Sequence, residues 1–138
     1  MHEIGRWILE AAGSLGIVCR RVPGREAEQI VCMARSHFVD GNPRSWWLSP
    51  KLPFQQFSSE RFSLIEILPS KSGPCWLVPE TETAALPVFE VAADKVESIL
   101  AGSSYFEYYL LAHDLSWLLI ESDHNIYYVC QRKCVEES

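Results

Sequence analysis

Between Tyr105 and Cys130, three apolar, aromatic-rich runs are separated by polar breaks at His113-Asp114 and at Ser122 to Asn125. Runs of this length, broken this closely, predict three strands of an antiparallel meander. A helix would have to cross two polar turns unbroken. Period-two alternation puts Phe106, Tyr108, Leu110 and Ala112 on one side of the first strand, and Glu107, Tyr109 and Leu111 on the other. Trp117 and Leu119 share a side of the second, as do Leu118 and Ile120. Both sides are rich in apolar groups, so the middle strand is expected to be central and covered twice.

Upstream the period changes. Ile4, Trp7, Ile8, Ala11, Ala12 and Leu15 recur at helical spacing over 2–15, with Gly16 a stop signal. Residues 17–22 suit a short strand or an extended linker, broken by Pro23-Gly24. Ala27, Ile30, Val31, Ala34 and Phe38 define a second helix over 25–38, ended by Asp40-Gly41-Asn42-Pro43. Residues 44–48 (with Trp46 and Trp47) read as a strand and 49–61 as an irregular loop. Residues 62–68 and 75–78 read as a hairpin around the turn cluster 69–74. Residues 86–91 form a strand in which Pro87 dictates an edge position or restricts pairing to the far end. Val96, Ile99 and Leu100 predict a helix over 93–100, closed by Gly102. The order α-α-β-β-β-β-α-β-β-β predicts one α+β domain over 1–138. It has an antiparallel sheet of about five to seven strands, two N-terminal helices, and one further helix before the C-terminal meander. The helices are expected on one face, with 131–138 a frayed tail.

Composition agrees with a globular chain. Its 138 residues are 48% hydrophobic and 22% charged, with five Trp, five Tyr and six Phe. Net charge is −6, unevenly placed: residues 1–69 carry eight basic and seven acidic groups, residues 70–138 four and eleven. No excess cation is present to neutralise phosphates, which argues against nucleic acid as partner. An acidic second half suits a basic protein partner. No run approaches the length of a membrane span. Met1-His2-Glu3 does not open a leader, and the five cysteines are odd in number and far apart, so a cytoplasmic protein with reduced thiols is expected.

The motifs of phosphate-binding loops, zinc proteases, serine hydrolases and Cys-x-x-Cys proteins do not occur, and no catalytic residue, metal or cofactor is expected. Glu121-Ser-Asp-His-Asn125 combines two carboxylates and an imidazole, which suits acid–base work or a β-turn closed by Asp123 and Asn125. His124 with Cys130-x-x-x-Cys134 fits a zinc site only marginally, and a fourth ligand is wanting. Aromatic and acidic groups suit a protein-binding surface, for which the candidates are Trp46, Glu107, Tyr109, Asp114, Glu121, Asp123, His124 and Tyr127.

The segments Phe106-Glu-Tyr-Tyr109, Asp114-Leu-Ser-Trp-Leu118 and Glu121 with His124-Asn125 resemble an uncharacterised family of small bacterial proteins that look like toxin-immunity proteins. The resemblance covers about 25 residues, and this chain lacks the paired histidines of the family's turn. It implies a non-catalytic inhibitor that occludes its partner. Two other readings stand beside it: an enzyme or small-ligand protein with a pocket near Glu121 and His124, and a subunit of a larger assembly. The oligomeric state is not encoded in any pattern recognised in the chain.

Overall fold

The computed structural model describes residues 3–39, 54–71, 73–80, 86–102, 107–121 and 126–131. The strand expected over 44–48 lies outside these residues. Seven strands form one fully antiparallel sheet: β1 (Cys19–Arg21), β2 (Phe54–Ser58), β3 (Pro74–Pro79), β4 (Phe89–Ala92), β5 (Tyr108–Ala112), β6 (Trp117–Glu121) and β7 (Ile126–Gln131). Their spatial order is β1-β4-β3-β5-β6-β7-β2. The helices are α1 (Glu3–Leu15), α2 (Gly24–Phe38), α3 (Leu64–Ile67) and α4 (Val96–Ala101), the last preceded by a 3-10 turn over Ala93–Lys95. The fold is α+β, built on a single open sheet.

The meander forms as its alternation requires, with Leu110 opposite Leu119 and Leu119 opposite Val129. The helices do not share one face. Ile8, Ala11 and Ala12 of α1, Leu64 and Ile67 of α3, and Val96 and Ile99 of α4 pack with Leu77, Phe89, Leu110 and Leu119. Ala27, Ala34 and Phe38 of α2 pack on the other side, with Trp76, Val78, Tyr109, Leu111, Leu118 and Ile120. The reason lies in the strands. Each side of β5 and β6 carries large apolar groups, so each must be removed from water.

Three local assignments differ from the sequence pattern. Residues 62–68 contain no strand; Ser63-x-x-Glu66 is a capping box that nucleates α3, with Glu66 Oε1 accepting the Ser63 N–H at 2.8 Å. The hairpin between 62–68 and 75–78 is therefore absent, and β3 pairs instead with β4 and β5. Within the expected loop 49–61, Phe54–Ser58 is an edge strand on β7. Two open questions are resolved: 19–21 is a strand, and Pro87 restricts β4 to 89–92 without placing it at an edge.

Gly16 ends α1 with φ +72°. The Ile17 N–H donates to the Ala12 carbonyl at 2.9 Å and the Gly16 N–H to the Gly13 carbonyl at 3.2 Å, a Schellman pair. A Cβ at Gly16 or at Gly13 would meet nothing within 4 Å. Substitution at these glycines is thus decided by backbone conformation alone. Gly13→Ala, inside the helix, is expected to stabilise by roughly 0.5–1 kcal/mol. Gly16→Ala, in the left-handed region, is expected to destabilise by about 1 kcal/mol. Urea melts of the two variants should move in opposite directions; movement in the same direction would contradict the helix end described.

Candidate functional site

One register row crosses the sheet on the α2 side: Arg20 lies opposite Glu90, Glu90 opposite Trp76, and Trp76 opposite Leu111. His113 follows Leu111 by two residues and so faces the same way, past the end of β5. The result is a polar chain built from strands that are distant in sequence. Arg20 Nη2 lies 2.8 Å from Glu90 Oε1, and His113 Nε2 lies 2.9 Å from Glu90 Oε2. The His113 ring stacks on buried Trp76 at 4.3 Å between centroids and 23° between planes. The hydrogen bond from Arg20 holds the Glu90 carboxyl below the usual carboxylate range; partial burial opposes this and His113 adds to it. Arg20 and His113 remain half exposed, so the chain positions charge at a surface and adds little to stability.

The turn from β5 to β6 carries the site's one conformational outlier among the described residues. Leu115 is a non-glycine residue at φ +61°, yet its side chain is buried. Left-handed backbone costs a leucine about 1–2 kcal/mol, and burying its side chain offsets roughly that amount. The Leu115 N–H donates to the Ala112 carbonyl at 2.8 Å, and Asp114 Oδ1 accepts the Ser116 N–H at 3.0 Å. This arrangement holds His113 and Asp114 outward on a fixed backbone. They line a cleft of about 360 Å³ with Ser70, Pro74, Ser116 and Trp117. A second cleft, of about 580 Å³, opens on the other side of Pro74, between the end of α1, β1 and β4.

The eight residues singled out from the sequence are not gathered in one place. Asp114 is exposed beside the first cleft. Glu107 and Glu121 are half-buried at the opposite end of β5 and β6, about 17 Å away by strand length. Tyr109 and Tyr127 are core residues on opposite faces, and the Tyr109 hydroxyl donates to Glu80 Oε1 at 2.7 Å. Trp46, Asp123 and His124 lie outside the described residues. Neither cleft is lined by Glu121.

Glu121 sits between two tyrosines in register, opposite Tyr108 on β5 and Tyr127 on β7. Burial raises its pKa, and a hydrogen bond from Tyr108 opposes the rise. Tyr127 is pushed up to about 12 by burial and by the Glu121 and Glu97 charges. A folded-state carboxyl pKa above the unfolded one means that the native state holds its proton longer. Stability due to this group is therefore full below the ordinary value of 4.5 and falls as pH rises through the raised value. Glu121→Gln should leave stability near that of the native protein at pH 4. At pH 7 it should raise stability by up to about 1 kcal/mol, discounted for the group's partial exposure. Urea melts at the two pH values test this; a variant less stable at pH 7 would show that the charge is favoured in place.

Burial also raises the thiols, Cys75 to about 12 and Cys19 and Cys130 to about 11. These side chains remain neutral and pack as small apolar groups, without nucleophilic character. Among the described residues, no three His, Cys, Asp or Glu side chains converge to hold a metal ion, and no helix is long and apolar enough to cross a membrane. Comparison with known proteins finds no family model, curated protein or solved structure that matches the chain.

The sequence pattern did not indicate Arg20, Glu90, Trp76 and His113 as a group. The available signal was Glu90, the lone charge in the apolar strand Phe89-Glu-Val91, and the adjacent pair Arg20-Arg21 in β1. A charge in such a position calls for a partner on the neighbouring strand.

Proposed function

We propose that this is a non-catalytic protein-binding module, of the kind represented by bacterial immunity proteins, which occludes a basic partner. The observation that carries the reading is the charge of the second half's surface. Among the described residues from 70 onward stand seven carboxylates, none buried, against Lys71 and Lys95. Glu90 and Glu121 stand on the sheet, Asp94 and Glu97 on the 3-10 turn and α4, and Glu80, Glu107 and Asp114 on segments flanking the strands of a sheet packed with apolar groups on both faces. A charged surface of this kind steers and orients a basic partner more than it deepens affinity, so binding should weaken with salt.

Asp94 and Asp114 are the exposed carboxylates nearest the first cleft, whose lining includes Ala93 and Asp114. With the partner captured at low salt from a bacterial lysate, the Asp94→Asn, Asp114→Asn double variant is expected to lose at least about tenfold in affinity and to show a shallower salt dependence. Asn keeps the acceptor oxygen that Ser116 needs. Glu107→Gln, at the far end, should change affinity less than about twofold. Recovery of no basic protein at low salt, or equal binding by the double variant, would sink the proposal.

A second reading, small-ligand binding, is favoured by the cleft at Ser70, His113, Asp114 and Ser116, where polar groups converge beside Trp117. Saturable binding of a small molecule that shifts the Trp117 signal would support it.

A further inference from the structure

The sheet ends at β1, and among the described residues no strand pairs its outer side. The ladder shows which groups face outward. The Val22 N–H donates to the Val88 carbonyl at 2.9 Å, so Val22 and Val88 form a hydrogen-bonded pair. Two residues along each strand, Arg20 and Glu90 form the next such pair. Cys19 and Arg21, opposite Val91 and Phe89, occupy the alternate positions. Their N–H and C=O groups point away from β4, giving four main-chain groups turned to the outside.

The surroundings are unusual for a sheet edge. Val18, just before β1, is 88% exposed and Leu15, at the end of α1, is 52% exposed. Both line the 580 Å³ cleft together with Ile17, Pro74, Val91 and Ala92. The charges beside it are mainly positive. Arg20 lines the cleft paired with Glu90, Lys95 adds a further cation to its lining, and Arg21 lies on the opposite face of β1 with its guanidinium 5.7 Å from the Phe89 ring centre. We propose that the outer edge of β1 and this cleft form a docking site for an extended, acidic segment of a partner protein that adds as an eighth strand and seats alternate apolar side chains in the cleft. Main-chain bonds supply affinity in this mode, and the cleft with its cations supplies selectivity. A second copy of the chain is the poorer occupant, because β1 against β1 would set Arg20 and Arg21 against their own copies. The site shares Glu90 with the carboxylate surface invoked above, but Asp94 and Asp114, which test that surface, do not line this cleft, so either reading can fail alone.

The test titrates isotope-labelled full-length protein with the peptide acetyl-Val-Glu-Val-Glu-Val-Glu-Val-amide, following backbone amide signals. Saturable shifts centred on Cys19 and Arg21 are expected. A lysine-for-glutamate peptide, and an acidic peptide N-methylated on the pairing amides, should each bind at least about tenfold more weakly. Arg21→Pro removes one outward N–H and spares the β4 ladder, and should lose about tenfold for the acidic peptide; Arg21→Glu provides the same loss through charge if the proline variant fails to fold. Equal binding of the lysine peptide, shifts centred elsewhere, or no saturable binding up to about 1 mM would overturn the assignment and leave β1 as a short, charged edge that merely resists aggregation.

Discussion

Leu119→Ala is expected to remove about 2–5 kcal/mol of stability, a large share of what a domain of this size possesses. Leu119 is wholly buried in β6, with Leu110 directly opposite on β5 and Val129 opposite on β7. Its side chain points to the α1, α3 and α4 side, within the larger core. A cavity in the middle of three paired strands has little freedom to collapse, because register fixes the backbone on both sides. The urea midpoint should fall sharply with unchanged slope. A loss under about 1 kcal/mol would mean that this strand is not central.

Phe38→Ala should be comparably severe, about 3–5 kcal/mol. Phe38 is the last residue of α2 and is fully buried on the opposite face, among Trp76, Tyr109, Leu111 and Leu118. The prediction bears on the two-sided architecture: if α2 did not cover this face, truncating Phe38 would cost little. Phe62, 41% exposed, provides the comparison, and Phe62→Ala should cost less than about 1 kcal/mol. Equal effects from the two phenylalanines, read by the same urea melts, would refute the second core.

The meander was legible because its alternation is local. Leu110, Leu119 and Val129 announce their faces by period two, and the breaks at His113-Asp114 and after Glu121 mark the turns. The helices α1 and α2 were legible for the same reason. What failed was partnership between distant segments. Phe62 to Leu68 has strand-like composition, but Ser63 and Glu66 satisfy a helix start, and the capping box prevails over four residues. Phe54 to Ser58 has little apolar pattern and pairs at the sheet's edge, where burial imposes few demands. The one-face expectation undervalued the apolar groups on the second side of β5 and β6, which require α2 as cover.

The candidate site was less accessible still. Arg20, Glu90 and His113 are ordinary in composition and acquire meaning only when β4 lies beside both β1 and β3. The chemistry of Tyr109 and Tyr127 suits surface aromatics, yet consecutive aromatics in a strand covered on both sides are drawn inward. Asp114 kept its place at the surface because a two-residue polar break between apolar strands has nowhere else to go.

The order β1-β4-β3-β5-β6-β7-β2 has a consequence for how the chain assembles. Its five inner strands come from one uninterrupted stretch, 74–131, and both outermost strands come from the first 58 residues. On a ribosome the outer strands are made before any surface exists to receive them. Neither can take its place in the sheet until β4 and β7, the strands they pair with, have been made.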